Sequence, residues 1–276
     1  MTTATAPAKI NLALVVGPLR ADGKHEVVTV LEWIDLADSL ELEAARELRV
    51  SGFDDDTLVD RALRELAAAA RVEPGWHVRI EKRIPVAAGL AGGSSDAAAA
   101  LRLANDALAE PLPPERLHRI AAGLGADVPF FLSSGCRLGT GDGSELEPLE
   151  LPLGYHAMLL LPAGAVKEST AAVYASFDRR SGADGFEDRR RRLLEALRRV
   201  RNPTDLAALP RNDLVSSPLV GDLERRGAFR ADVSGAGPAL YGLFEHEHEA
   251  KAAADELRGL GATWVCRPTR GSVEPR

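Results

Sequence analysis

Pro85-Val-Ala-Ala-Gly-Leu-Ala-Gly-Gly-Ser-Ser-Asp-Ala97 is the stretch on which the reading of this chain turns. Small residues fill almost every position and an Ala-rich run follows at once. Ala97, Leu101, Ala104 and Leu108 then recur on one face, which predicts a helix over 94–108. Ser95 is placed to cap that helix, and Asp96 suits the positive end of its dipole. A glycine loop at a helix N-terminus presents backbone N–H groups to an anion. The same composition also makes a plain tight turn. The loop lacks the Gly-Lys-Ser/Thr ending of a P-loop, and no Gly-x-Gly-x-x-Gly follows a strand, so neither of those nucleotide folds is indicated.

Outward from this stretch, the first forty residues read as strands at 9–16, 27–31 and 38–44, broken by Gly17-Pro18 and Ala21-Asp22-Gly23. Leu58, Ala62, Leu63, Leu66, Ala67 and Ala70 form a helical stripe, and a short strand at 77–80 leads into the glycine loop. Another helix starts near Pro113-Pro114 and ends at Gly123 or Gly125. Further on come a strand at 157–161, a helix at 186–200, a strand at 240–244, a helix at 249–260 and a strand at 263–267. That closing pattern suggests an α+β layer on a sheet. The prolines of 149–162 put a boundary nearby, giving units 1–153 and 154–276.

Three more segments carry candidate chemistry. In Gly125-Ala-Asp-Val-Pro-Phe-Phe-Leu132, Asp127 is a single acid between a helix end and an apolar run. It is either a helix-terminal turn residue or a partly buried general base. In Ala8-Lys9-Ile10-Asn11-Leu12, Lys9 and Asn11 share one face of a strand, turned to water or to a cleft. Asp232-Val-Ser-Gly-Ala-Gly-Pro238 is a second glycine loop, either a turn or a place where backbone approaches a ligand. The arginines of 189–201 read as a solvated helix face or, as the alternative, a surface for an acidic partner.

The 276 residues are 45% hydrophobic and 27% charged, close to a globular average, but only 5% aromatic, so Ala, Leu and Val must build the core. A net charge of −7 argues against general nucleic-acid binding. No apolar run is long enough to span a membrane, and the N-terminus does not read as a secretory signal. Cys136 and Cys266 lack metal-type spacing. A cytoplasmic enzyme without a structural metal is expected.

The order of these segments is more specific than any one of them. Ala6-Pro-Ala-Lys-Ile-Asn-Leu12, Arg20-Ala-Asp-Gly-Lys-His-Glu26, residues 84–97, Gly125 to Leu132, Arg211-Asn-Asp-Leu214 and Val233-Ser-Gly-Ala-Gly-Pro238 together resemble the GHMP kinase superfamily. The N-terminal pair and the segment at 125–132 are most similar to the branch acting on a cytidine-diphosphate-linked methylerythritol. The resemblance implies a two-domain α+β GHMP kinase fold, with a ribosomal protein S5 domain 2-like N-terminal domain and a ferredoxin-like C-terminal domain. ATP and substrate would share the cleft between them. It implies transfer of the γ-phosphate of ATP to the 2-hydroxyl of that substrate, in the non-mevalonate route to isoprenoids. Catalysis maps to Lys9 and Asp127. ATP binding maps to Lys82 and to Pro85, Val86, Ala87, Ala88, Gly89, Leu90, Ala91, Gly92, Gly93, Ser94 and Ser95. Substrate binding maps to Asn11, His25 and Tyr174, with His25 contacting the cytosine and Tyr174 stacking on it. Mg²⁺ is expected to neutralise the ATP, with Ser94 and Ser95 as hydroxyl candidates and no protein carboxylate ligand named. The small-molecule substrate and ATP are the expected partners, with no nucleic acid or membrane, for a monomer or homodimer. Another GHMP-type small-molecule kinase and a non-catalytic GHMP-fold binding protein are the competing readings. Retention of both Lys9 and Asp127 favours the kinase.

Four departures from the family pattern bear on the site. Lys24 stands where a stacking Tyr is usual, and base stacking is worth about 1–3 kcal/mol. Thr57 replaces an Asn beside the nucleotide. Ala87, Ala88 and Ala91 replace frequent glycines, which demands negative φ or spare room. Asp96 replaces an Asn, and its charge is tolerable if it points away from phosphate.

Overall fold

Near-continuous runs of buried residues along the N-terminus, covered on both faces, build two strands far longer than the sequence suggests, β1 (Thr2–Leu19) and β2 (His25–Ala44). A computed structural model describes residues 1–53, 57–166 and 168–271 of the chain. In it, β1 and β2 pair antiparallel from Thr2↔Leu42 to Leu19↔His25, with register shifts at Pro7/Ala8, Asn11/Ala13 and Val16/Leu19. The break expected at Gly17-Pro18 is therefore one of these irregularities within β1. Its prolines are tolerated because β1 pairs only with β2 and so has an unpaired side. The real turn is 20–24, where Gly23 takes φ +81.

Four shorter strands complete this sheet: β3 (Arg49–Ser51), β4 (Trp76–Glu81), β5 (Arg137–Thr140) and β6 (Glu145–Pro148). Their order is β3-β4-β2-β5-β6, with β1 on the other side of β2. Helices α1 (Thr57–Ala70), α2 (Gly92–Asp106) and α3 (Pro114–Leu124) cover one face. Ala97 to Ala100 are all fully buried in α2. These small side chains let the helix lie close to both sheet and α1, where a larger residue would overpack by about 1–3 kcal/mol. The helix starts two residues earlier than expected, with left-handed Ala91 at its N-cap and no side-chain cap. Ser95 thus lies inside the first turns rather than capping them.

The second sheet holds β7 (His156–Pro162), β8 (Arg230–Val233), β9 (Leu240–Phe244) and β10 (Gly261–Cys266), in the antiparallel order β10-β7-β9-β8. Helices α4 (Thr170–Arg179), α5 (Phe186–Arg199), α6 (Leu219–Arg225) and α7 (Glu247–Leu257) belong to this half. One face of the sheet packs on α6 and α7. The other packs, with α5, against the side of β1 and β2 that α2 does not cover. The expected ferredoxin-like order of strands is present. Main-chain bonds also tie the two sheets: Asp35 N–H to Arg267 carbonyl at 2.9 Å and Thr269 N–H to Trp33 carbonyl at 3.0 Å. Among the described residues no helix is long and apolar enough to cross a membrane.

Candidate active site

A cavity of about 510 Å³ lies where the loop before α2 faces the start of β1 and the loop after β8. Lys9, Asn11, Lys82, residues 85–89 and 91–94, Asp127 and Tyr174 all line it. Leu90 and Ser95 do not: Leu90 is buried in the core, and Ser95 is buried in α2 with its hydroxyl unpartnered among the described residues.

The period of two turns Lys9 and Asn11 to the same side, as the sequence predicts, and there they are locked in a chain of oriented bonds. Lys9 Nζ donates to Asn11 Oδ1 at 2.5 Å, Asn11 Nδ2 donates to Thr29 Oγ1 at 2.8 Å, and Thr29 donates to the Ala13 carbonyl at 2.8 Å. Asp127 follows α3 and brings its Oδ2 to 3.8 Å from Lys9 Nζ. The lysine side chain is 4% exposed and the aspartate 40%, so a held cation meets an accessible carboxylate. Thr29 had no signal in the sequence beyond a β-branched strand residue.

The loop itself is pinned at both ends. Lys9 N–H donates to the Leu90 carbonyl at 3.1 Å, and Ala239 N–H donates to the Ala88 carbonyl at 2.9 Å. Ser234 Oγ donates to the Gly89 carbonyl at 3.0 Å. A Cβ on Gly89, which has φ +85, would stand 2.4 Å from the Ser234 carbonyl, so only glycine fits there. Ala87 and Ala91 correct the expectation of negative φ: both sit at φ 57. That conformation costs an L-residue about 1–2 kcal/mol, offset here by the bonds that clamp the loop. A Cβ on Gly93 would meet nothing within 4 Å, which leaves the first turn of α2 open on that side. That turn has N–H groups without intrahelical partners, next to the positive end of the dipole.

Lys82 lines the cavity, but its amine is engaged. It donates to Asp38 Oδ2 at 2.5 Å and to Asp96 Oδ2 at 2.6 Å, and both carboxylates are fully buried. Burial works to lower the lysine, but Asp96 and Asp38 outweigh it and hold it above the usual range. Asp96 therefore pairs with a base instead of capping α2. Asp38 also accepts from the N–H groups of Arg83 at 2.5 Å and Ile84 at 2.8 Å, which anchors the entry to the loop. Nothing in the sequence singled out Asp38.

Tyr174 faces the cavity and covers His25, with ring centroids 4.7 Å apart and planes at 30°. His25 is buried, does not line the cavity, and its Nε2 lies 2.8 Å from Asp178 Oδ1. Burial, helped by the charge of Asp127, pushes the Tyr174 phenol up to about 12. Lys24 pairs with Asp142, which also lines the cavity. Burial works against Asp142 ionising, but bonds from Lys24 and Ser144 bring its carboxyl down to about 2. Thr57 and Phe53 complete one wall. The segment at 211–214 braces the opposite one: Asn212 Nδ2 donates to the carbonyls of Val233 at 2.9 Å and Gly235 at 2.7 Å, and Asp213 accepts from Val16 N–H and Arg189 at 2.9 Å each. Among the described residues no group of three or more His, Cys, Asp or Glu could hold a metal ion.

Comparison with known proteins agrees with this geometry. The family model for the GHMP kinases N terminal domain matches residues 57–135, and that for GHMP kinases C terminal matches residues 210–263. The chain is 40% identical over 296 residues to the 4-diphosphocytidyl-2-C-methyl-D-erythritol kinase of Salinispora arenicola, covering 97% of this chain and 91% of that one. It is 40% identical over 298 residues to the enzyme of that name from Salinispora tropica, covering 98% and 90%. A crystal structure of 4-(cytidine 5'-diphospho)-2C-methyl-D-erythritol kinase superposes with a TM-score of 0.79 at 32% identity, covering 98% of this chain and 100% of the other.

Proposed function

We infer the chemistry of this cavity from one premise: the chain belongs to the GHMP kinases, in the branch of the 4-diphosphocytidyl-2-C-methyl-D-erythritol kinases. It is an ATP-dependent kinase that phosphorylates the 2-hydroxyl of 4-diphosphocytidyl-2-C-methyl-D-erythritol. One observation carries the reading for its own residues, the approach of Lys9 and Asp127 to 3.8 Å beside a helix N-terminus.

Asp127 accepts the proton of the attacking hydroxyl. Lys9, fixed by Asn11, keeps that carboxylate ionised and offsets charge on the phosphoryl group in transit. The triphosphate lies along the loop at 85–91, against the open N–H groups of the first turn of α2. Lys82 acts through the loop, because Asp38 and Asp96 already consume its charge. The Asn11 amide and the face of Tyr174 receive the substrate. His25 supports Tyr174 from behind. The residues present fit a Mg²⁺ ion carried in on the nucleotide, with the Ser94 hydroxyl as the protein's oxygen donor, since Mg²⁺ rarely uses an all-protein cage. When bound, the ion neutralises charge between the phosphates. The partners on this reading are the cytidine substrate and ATP, in the cytoplasm.

ADP release measured with and without 4-diphosphocytidyl-2-C-methyl-D-erythritol tests the proposal. Release that depends on that substrate is expected. Release driven by a different sugar alcohol would assign another GHMP activity, and tight ligand binding with no release would make the chain a binding protein.

A further inference from the structure

The geometry points to a second ligand site, towards the C-terminal end of α2 and away from the glycine loop at its start, that takes a small oxyanion carrying an apolar tail. Two adjoining cavities, of about 510 and 630 Å³, share Arg102, Leu132, Ser133 and Arg137 along their common border. None of these residues lines the kinase cavity.

The border is cationic in a chain whose net charge is −7. Arg102 projects from α2, and its Nη1 donates to the Phe131 carbonyl. Arg137 opens β5, and its Nε donates to Ser133 Oγ at 3.3 Å. Both side chains are half-buried, and among the described residues neither guanidinium is in an ion pair. Most other arginines in this molecule that are so buried hold a carboxylate, as Arg189 holds Asp213 and Arg230 holds Asp232. Burial pushes the Arg102 guanidinium below its usual range, against Asp106. Two partly desolvated guanidiniums on one cavity border suit a phosphate or carboxylate, whose oxygens take the planar fork of an arginine.

A tryptophan marks the first cavity: Trp33 lines it and is 5% exposed, so its indole reports on what enters. Among the described residues no carboxylate lines that cavity. The second is walled chiefly by Leu117, Leu146 and prolines, with the exposed Glu115 as its acid. The head of the ligand therefore sits at the two arginines and the Trp33 side, and its hydrocarbon part lies in the second cavity.

Hexyl phosphate is the probe, with inorganic phosphate and hexan-1-ol as the half-ligands, titrated into the full chain by calorimetry and by tryptophan fluorescence. Saturable binding of hexyl phosphate is expected, tighter than either half-ligand and with a change in fluorescence that Trp33→Phe removes. ATP at saturation should leave it bound. Arg137→Gln should weaken it about ten- to hundredfold, the loss of one charge-assisted contact, with turnover of the kinase unchanged. Arg102→Gln is the second variant, should Arg137→Gln unfold. The proposal is overturned if the probe fails to bind, if ATP displaces it, if hexan-1-ol binds equally well, or if a folded Arg137→Gln or Arg102→Gln binds as the wild type does.

Discussion

Two lysines line the same cavity, and their surroundings have little else in common. Lys82 is clamped at 2.5 and 2.6 Å by two carboxylates that have no contact with water. Lys9 is held by a neutral amide, and its carboxylate stands 3.8 Å off, 40% exposed. A cation saturated by buried acids has no field left for a ligand and serves as a rivet. A cation oriented by an amide, with its carboxylate at a distance and exposed, still faces whatever enters the cavity. Proximity to the glycine loop is therefore a poor guide to role, and the state of a side chain's partners is a better one.

The contrast breaks first at Asp127. Asp127→Asn should lower kcat by about 10²–10⁴-fold while ATP affinity by calorimetry and the urea midpoint stay put. A turnover near wild type would remove Asp127 as the base. The second test is stability. Lys82→Met leaves Asp38 and Asp96 buried without their cation and should cost about 3–5 kcal/mol in urea unfolding. Lys9→Met should cost less, because its carboxylate Asp127 stands 3.8 Å off and is 40% exposed, where water can take the place of the cation. Equal losses would dissolve the distinction.

A third buried ionisable group extends the comparison, for it sits in neither kind of setting. Glu32, on β2, is fully buried beside Cys136, and burial drives its pKa up to about 8 against the pull of Cys136 and Arg270. The folded state keeps this proton between pH 4.5 and about 8, where the unfolded chain has lost it. Its contribution to stability therefore falls as pH rises through that window and levels off above it. Glu32→Gln should flatten the pH dependence, by at most about 1.4 kcal/mol per pH unit, in denaturant titrations from pH 5 to 9. The smallest effect is at Lys24. Lys24→Tyr frees Asp142 and offers a ring to the base, and should tighten binding of the cytidine substrate by up to about tenfold. Unchanged affinity would show that residue 24 does not meet the base.

Much of this was legible in the chain. The stripe from Leu58 to Ala70 appears as α1, and the strand expected at 240–244 appears as β9 with those bounds. The approach of Lys9 to Asp127 followed from ordered motifs, not from either residue alone. What escaped did so for physical reasons. Register shifts interrupt the β1–β2 ladder, so β1 reads only as its middle, 9–16, and β2 as two pieces, 27–31 and 38–44. Helix α4 buries only Val173 and Phe177, too few to mark a stripe. Asp38 is one acid in a strand, and its three partners lie more than forty residues away in sequence. The stacking of His25 beneath Tyr174 depends on how α4 docks, which no local pattern encodes.

The ties between Trp33 or Asp35 and the tail beyond β10, with the contact of Ala239 on Ala88, join the two halves through main-chain hydrogen bonds. Opening the cleft like a jaw would tear several of these at once. A ligand therefore meets a cleft whose two halves are stapled by backbone, and its empty form is the natural template for an inhibitor.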